Sequence, residues 1–217
     1  MDIKKIYADK HSKEDINFRS ECWKILCYKF FSKYIKSGDA VLELGSDDCT
    51  FINNISCKKK IAVDVNDNVK DYADPDVRVV ISDCTDFAKD IAAASLDIVF
   101  ISNLLEHVDK ESIIRTFSQS KRVLKGGGRL IIHGPNIKYC KSYWDWFDHI
   151  TPLSDVSVCQ ILEAEGFQVV TLIPRFLPNK VPKKAVPSKP WVLSLYLSLS
   201  WIWPLLGETF FIIAKKP

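Results

Sequence analysis

Five short apolar segments constrain this chain more than any other feature: Ala40 to Leu44, Ile61 to Val65, Val77 to Ile81, Leu96 to Ile101 and Arg129 to His133. Enough chain lies between successive members for a crossover. A hairpin needs only a tight turn, whereas parallel neighbours need a connection of about a dozen residues or more. The spacing therefore predicts a mainly parallel sheet covered by helices on both faces, an α/β three-layer sandwich. Ahead of it, Ile16, Trp23, Ile25, Leu26, Phe30, Phe31 and Ile35 recur at helical spacing behind Ser12 as N-cap and Asp15 as its reciprocal partner. This predicts an amphipathic helix ending near Gly38. Beyond the fifth strand, Ser154 caps a helix to about Glu165, Gly166 ends it, and Phe167 to Ile173 reads as a sixth strand. Glu208 to Lys215 gives a closing strand antiparallel to the sixth, so the sheet is predicted to have seven strands, mainly parallel, with a terminal antiparallel strand.

At 217 residues the chain is expected to be one domain. Its parts are an N-terminal helical segment (1–37), a core (38–175), a connector with an apolar surface segment (176–206) and the closing strand (207–217). A hydrophobic content of 47% with 26% charged residues argues against disorder. The net charge is only +3, with lysines grouped at Lys58 to Lys60 and at Lys180, Lys183, Lys184 and Lys189. That is too little basic field for a nucleic-acid partner. The seven cysteines show no C-x-x-C or zinc-type spacing, and the first ten residues lack a signal-peptide core, which points to a reducing cytoplasm and to no bound metal. The stretch Trp191 to Leu206 is too short and too interrupted, by Ser194, Ser198, Ser200 and Pro204, to span a bilayer. Either it lies at a membrane interface through Trp191, Trp201 and Trp203, or it is a helix packed on the sheet or in a dimer contact. The oligomeric state is left open.

In an open parallel sheet, ligands bind beyond the carboxyl ends of the strands, so the residues just after each strand carry the chemistry. The first strand runs into Glu43-Leu44-Gly45-Ser46-Asp47-Asp48-Cys49, where Gly45 permits a tight turn and the following helix is expected to offer its N-terminal N–H groups. The second ends in Asp64, a carboxylate suited to both hydroxyls of a ribose, and the third in Ser82-Asp83-Cys84, suited to an adenine amino group. The fourth opens into Asn103-Leu104-Leu105-Glu106-His107-Val108, and the fifth leaves through Pro135-Asn136. An ordered series of polar strand ends is far more specific than any one of them.

With VLELGSDDCTFINNI, AVDVN, SLDIVFISNLLEHV and VLKGGGRLIIHGPN, the chain resembles the class I S-adenosylmethionine-dependent methyltransferases, whose fold is Rossmann-like. Together with YWDWFDHITPLSDVSVCQILEAEGFQVV, these runs resemble bacterial members found with cell-surface polysaccharide synthesis. The resemblance implies S-adenosylmethionine as cofactor, with Glu43, Gly45 and Ser46 at its methionine end, Asp64 at the ribose, Asp83 and Cys84 at the adenine, and Asn103 below the sulfonium. The class commonly reads G-x-G-x-G, but here Asp47 and Cys49 replace the second and third glycines. Cys49 fits if it lies in the first helical turn. Asp47 either repels the cofactor carboxylate or reaches the amino group of the methionine moiety.

For a hydroxyl acceptor the enzyme needs a base. His149, oriented by Asp148, is the first candidate and His107 the second, while each also suits a hydrogen-bonded structural role. His133 is expected in the core. The aromatics Tyr139, Tyr143, Trp144, Trp146 and Phe147 either stack on a flat acceptor such as a sugar or fold back on the sheet edge. The expected reaction is O-methylation of a small-molecule or saccharide acceptor. The alternatives are a methyltransferase-like scaffold without turnover, and a nicotinamide-dependent oxidoreductase, for which the G-x-G-x-x-G turn is missing.

Overall fold

The computed structural model of the chain describes residues 13–179 and 190–217, with side chains from Asn17 onward. The Ser12 cap and the lysines from Lys180 to Lys189 lie outside the described residues. Helix α1 (Lys13–Lys29) does not continue to Gly38 but gives way to a 3-10 turn at Phe31–Lys33. Phe30 and Phe31 are both buried. Both rings enter the same core.

The elements that follow are β1 (Ala40–Leu44), β2 (Lys59–Asp64), α2 (Val69–Tyr72), β3 (Val77–Ile81), β4 (Leu96–Ser102), α3 (Lys110–Val123) and β5 (Leu124–Pro135). After them come α4 (Asp155–Ala164), β6 (Gln168–Ile173), α5 (Pro190–Ser198), α6 (Trp203–Leu206) and β7 (Thr209–Lys215). The seven strands form one sheet in the order β3-β2-β1-β4-β5-β7-β6. Only β7 runs against the others; it pairs with β6 as expected and also with β5, so β6 takes the edge. The predicted cap of α4 is present as a reciprocal pair. Ser154 Oγ accepts from Ser157 N at 3.1 Å while Ser154 N donates to Ser157 Oγ at 2.9 Å. Gly166 follows with φ +74°, where a Cβ would be strained.

The crossovers differ from expectation. Between β1 and β2 the chain makes only a 3-10 turn (Ile52–Asn54), between β2 and β3 the single turn of α2, and between β3 and β4 another 3-10 turn (Phe87–Asp90). Only α3 and α4 are full crossover helices among the described residues. They cover one face, where Ile113, Phe117, Val158 and Leu162 meet Leu42, Leu44, Val99, Ile101, Leu130 and Ile132. The opposite face, carrying Val41, Ile98, Phe100, Ile131, Phe211 and Ile213, is covered by α1 and the apolar segment of α5 and α6. Alternate residues of each strand thus enter separate cores.

This placement settles the role of Trp203. It is only 9% exposed, packs against Phe30 and Phe176, and donates its Nε1–H to Tyr196 O at 3.0 Å. A membrane contact through Trp203 is therefore corrected: its ring belongs to the core. Trp191 and Trp201 remain exposed. No described helix is long and apolar enough to cross a membrane.

Candidate active site

A cleft of about 450 Å³ opens at the carboxyl ends of β1 to β4. Its size lies within the roughly 300–1,000 Å³ of small-molecule sites. All eight residues expected at the cofactor line it: Glu43, Gly45, Ser46, Asp47, Asp64, Asp83, Cys84 and Asn103.

The turn after β1 is held across the sheet by Gly45 N and Ser46 N, which both donate to Val63 O. Gly45 has φ +70°, and a Cβ there would meet Leu104 Cδ1 at 3.2 Å. Asp47 (φ 45°), Cys49 (φ 55°) and Asn103 (φ 49°) are left-handed as well. Asp and Asn tolerate that region better than other non-glycine residues. The helix expected after this turn is absent among the described residues, and Cys49 lies in no helical turn. That turn therefore presents no α-helix N-terminus to a pyrophosphate.

The cleft wall is strongly acidic. Glu43 is 5% exposed and accepts from Ile52 N at 3.2 Å. Burial pushes its carboxyl well above the usual range, with Asp48, Asp47 and Asp64 adding to the shift and the Ile52 N–H opposing it. Asp64 accepts from Asn66 N at 2.9 Å and from Asp47 N at 3.0 Å. Burial raises its pKa too, against the pull of those N–H groups. Asp83 holds a turn, its Oδ1 accepting from Thr85 N and Thr85 Oγ1 at 2.8 and 2.7 Å. The burial of Cys84 pushes its thiol up to about 11, which leaves it neutral at physiological pH.

Arg19, from α1, was missed in the sequence. Its guanidinium reaches Asp47 Oδ2 and Asp48 Oδ2, each at 3.3 Å, and lines the cleft with Trp23. The pairing answers the concern over Asp47, because the extra carboxylate comes with a counter-charge. Helical register offered a clue, since Arg19 lies one turn before Trp23 on the same face.

At the other end His107 is one of the residues that line the cleft, and His149 is not. Their rings meet edge-on with centroids 4.8 Å apart. Asp148, expected to orient His149, contacts His107, with Oδ2 3.3 Å and the backbone O 3.1 Å from Nδ1. His107 Nε2 faces Glu106 Oε1 at 3.9 Å. Glu106, His107 and His149 bring one ligating atom each within 4.8 Å of one another. Linear spacing hid this grouping, because His107 and Asp148 lie 41 positions apart in the sequence. His133 is a core residue as expected, between Ser102 Oγ and Thr209 Oγ1, and burial lowers its pKa to about 4. Of the aromatics, Tyr143 is buried and donates to Thr151 O, while Trp144, Trp146 and Phe147 are exposed.

Residues 42–132 match the family described as a methyltransferase domain. No curated protein matches the chain significantly in sequence. Among solved structures, it is similar to a SAM-dependent methyltransferase from Archaeoglobus fulgidus, at 23% identity and a TM-score of 0.69 over 91% of this chain and 94% of that one. It is also similar to a complex of the Haloferax volcanii Trm112 methyltransferase activator with a methyltransferase, at 15% identity and a TM-score of 0.70 over 97% and 96%. A third is geranyl diphosphate C-methyltransferase from Streptomyces coelicolor A3(2), at 13% identity and a TM-score of 0.61 over 84% and 75%. The sheet, with its internal antiparallel strand, is that of the Rossmann-like methyltransferase fold.

Proposed function

We propose that the chain is an S-adenosylmethionine-dependent O-methyltransferase acting on a small-molecule or saccharide hydroxyl. The observation that carries this reading is the convergence of Glu43, Asp64, Asp83 and Asn103 on one cleft, at the ends of four successive strands of a methyltransferase sheet. The residues fit the cofactor. A cluster of carboxylates suits a ligand bearing a sulfonium and an ammonium, the Asp64 carboxyl is held in place by two backbone N–H groups, and Gly45 leaves the space a side chain would fill. Arg19 is positioned to exchange its aspartate partners for the methionine carboxylate.

When bound, the cofactor supplies an activated methyl group on sulfur. The chain contributes position, exclusion of water and management of the acceptor proton. That last task falls to the cluster at this end of the cleft, where His107 faces the cleft with Nδ1 held by Asp148 and His149 packs against it. The exposed rings of Trp144, Trp146 and Phe147, on the loop that carries His149, favour a flat acceptor such as a sugar.

Calorimetric titration with S-adenosylhomocysteine tests the first half of the proposal, and a screen of nucleotide sugars and short glycans for methyl transfer tests the second. Failure to bind S-adenosylhomocysteine would move the chain to the scaffold reading, which the left-handed Asp47 and Cys49 favour. Transfer only to carbon, nitrogen or a macromolecule would overturn the acceptor class.

A further inference from the structure

We infer that Glu106, His107 and His149 bind one first-row divalent cation at the acceptor end of the cleft. Three donor atoms no more than 4.8 Å apart enclose a centre about 2.8 Å from each, so a movement of roughly 0.7 Å per side chain gives ordinary ligand distances of about 2.0–2.2 Å. His107 is already oriented for this. Asp148 sits on Nδ1, which leaves Nε2 turned towards Glu106. A carboxylate behind a ligating imidazole fixes its tautomer and direction in this way.

The backbone reinforces the arrangement. Glu106 O accepts from Ile150 N at 2.9 Å and Thr151 N at 3.2 Å, and Thr151 Oγ1 donates to Val108 O at 2.6 Å. The two segments that carry the ligands are therefore tied together on either side of the cluster. The side chains of Glu106 and Asp148 are only 3% and 8% exposed. Two imidazoles and one carboxylate make a softer set than the all-oxygen shells of magnesium or calcium, and they match a zinc-type site with open positions.

The role of the ion rests on the O-methyltransferase reading; its binding does not. Because His107 lines the cleft, an ion held there would lie within reach of an acceptor hydroxyl and would lower its pKa. The proton leaves to water, the oxygen lone pair forms the new C–O bond, and the electrons of the broken S–C bond stay on sulfur.

The test is titration of the full chain, freed of metal by chelator, with Co²⁺. One equivalent is expected to produce the weak visible bands of nitrogen and oxygen ligation. His149→Asn and Glu106→Gln should each weaken binding by more than about 100-fold, and Asp148→Asn by about 10- to 100-fold. Thermal melts establish that each variant is folded; if Glu106→Gln is not, His149→Asn decides. Absence of binding overturns the site. So does an intense near-ultraviolet thiolate band that persists in His149→Asn, because it would place the ion on cysteines. The same samples are titrated with S-adenosylhomocysteine. Binding of that ligand without Co²⁺ overturns the metal site alone, whereas Co²⁺ binding without it upholds the site and overturns the methyltransferase reading.

Discussion

At one end of the cleft, Glu43, Gly45, Asp64 and Asp83 come from β1, β2 and the turns that follow β1 and β3. At the other, Glu106 and His107 meet Asp148 and His149 from a loop beyond β5, across 41 residues. The first end is acidic and held by backbone hydrogen bonds to the sheet; the second is a cluster of imidazoles and carboxylates held by side chains and one loop. The difference shows how a parallel sheet divides its labour. In the proposed function, strand ends place the cofactor, while the residues assigned to the acceptor come from connections, which are free to vary.

If the division holds, the two ends respond separately to substitution. The largest effect is expected at the histidine end. With a competent acceptor, His107→Ala and His149→Ala should each lower turnover by about 100-fold or more while leaving the S-adenosylhomocysteine dissociation constant nearly unchanged. A loss of cofactor binding in either variant would join the two ends into one unit.

The converse is expected of Asp64→Ala. Removing the carboxylate should weaken S-adenosylhomocysteine by about 1–3 kcal/mol, roughly 5- to 150-fold. Co²⁺ binding should be unaffected. In the wild type, burial raises the Asp64 pKa, and ribose hydroxyls would favour its charged form. Affinity should therefore fall on acidification through that raised range and level off above it. A flat profile between neutral and acid pH in the calorimeter would remove Asp64 from the contact.

Glu43→Gln sharpens the electrostatic half of the comparison. A carboxyl whose pKa is raised by folding binds more protons folded than unfolded. Its contribution to stability is therefore lost as pH rises from the ordinary glutamate range through the folded value. At neutral pH the amide should melt higher than wild type, by about 2–4 °C for each kcal/mol relieved. The gap should close below about pH 4, while cofactor affinity falls. A lower melting point at neutral pH would mean that the charge is compensated by something other than the Ile52 N–H.

The smallest effect is expected from Asp47→Gly. It relieves a left-handed backbone and a negative charge but takes a partner from Arg19, so the opposing changes should leave the dissociation constant within about threefold of wild type. A larger loss would make Asp47 a direct ligand.

Local grammar carried much of this molecule. Apolar runs separated by crossover-length connections specify a parallel sheet, Ser154 and Gly166 bracket α4 through backbone requirements of one turn each, and strand ends that bear Asp64 and Asp83 mark the cleft, because each signal lies within a few residues of its effect. What covers the second face depended on distant segments. The turns between β1 and β4 are too short to do so, and apolarity alone did not distinguish a membrane contact from a core until Trp203 was seen against Phe30 and Phe176. Arg19 likewise enters the cleft only because α1 lies across it. The Glu106–His107–His149 cluster was invisible for a related reason: spacing along the chain reveals ligands on one helix or one loop, whereas these are joined by hydrogen bonds between segments that only the folded sheet brings together.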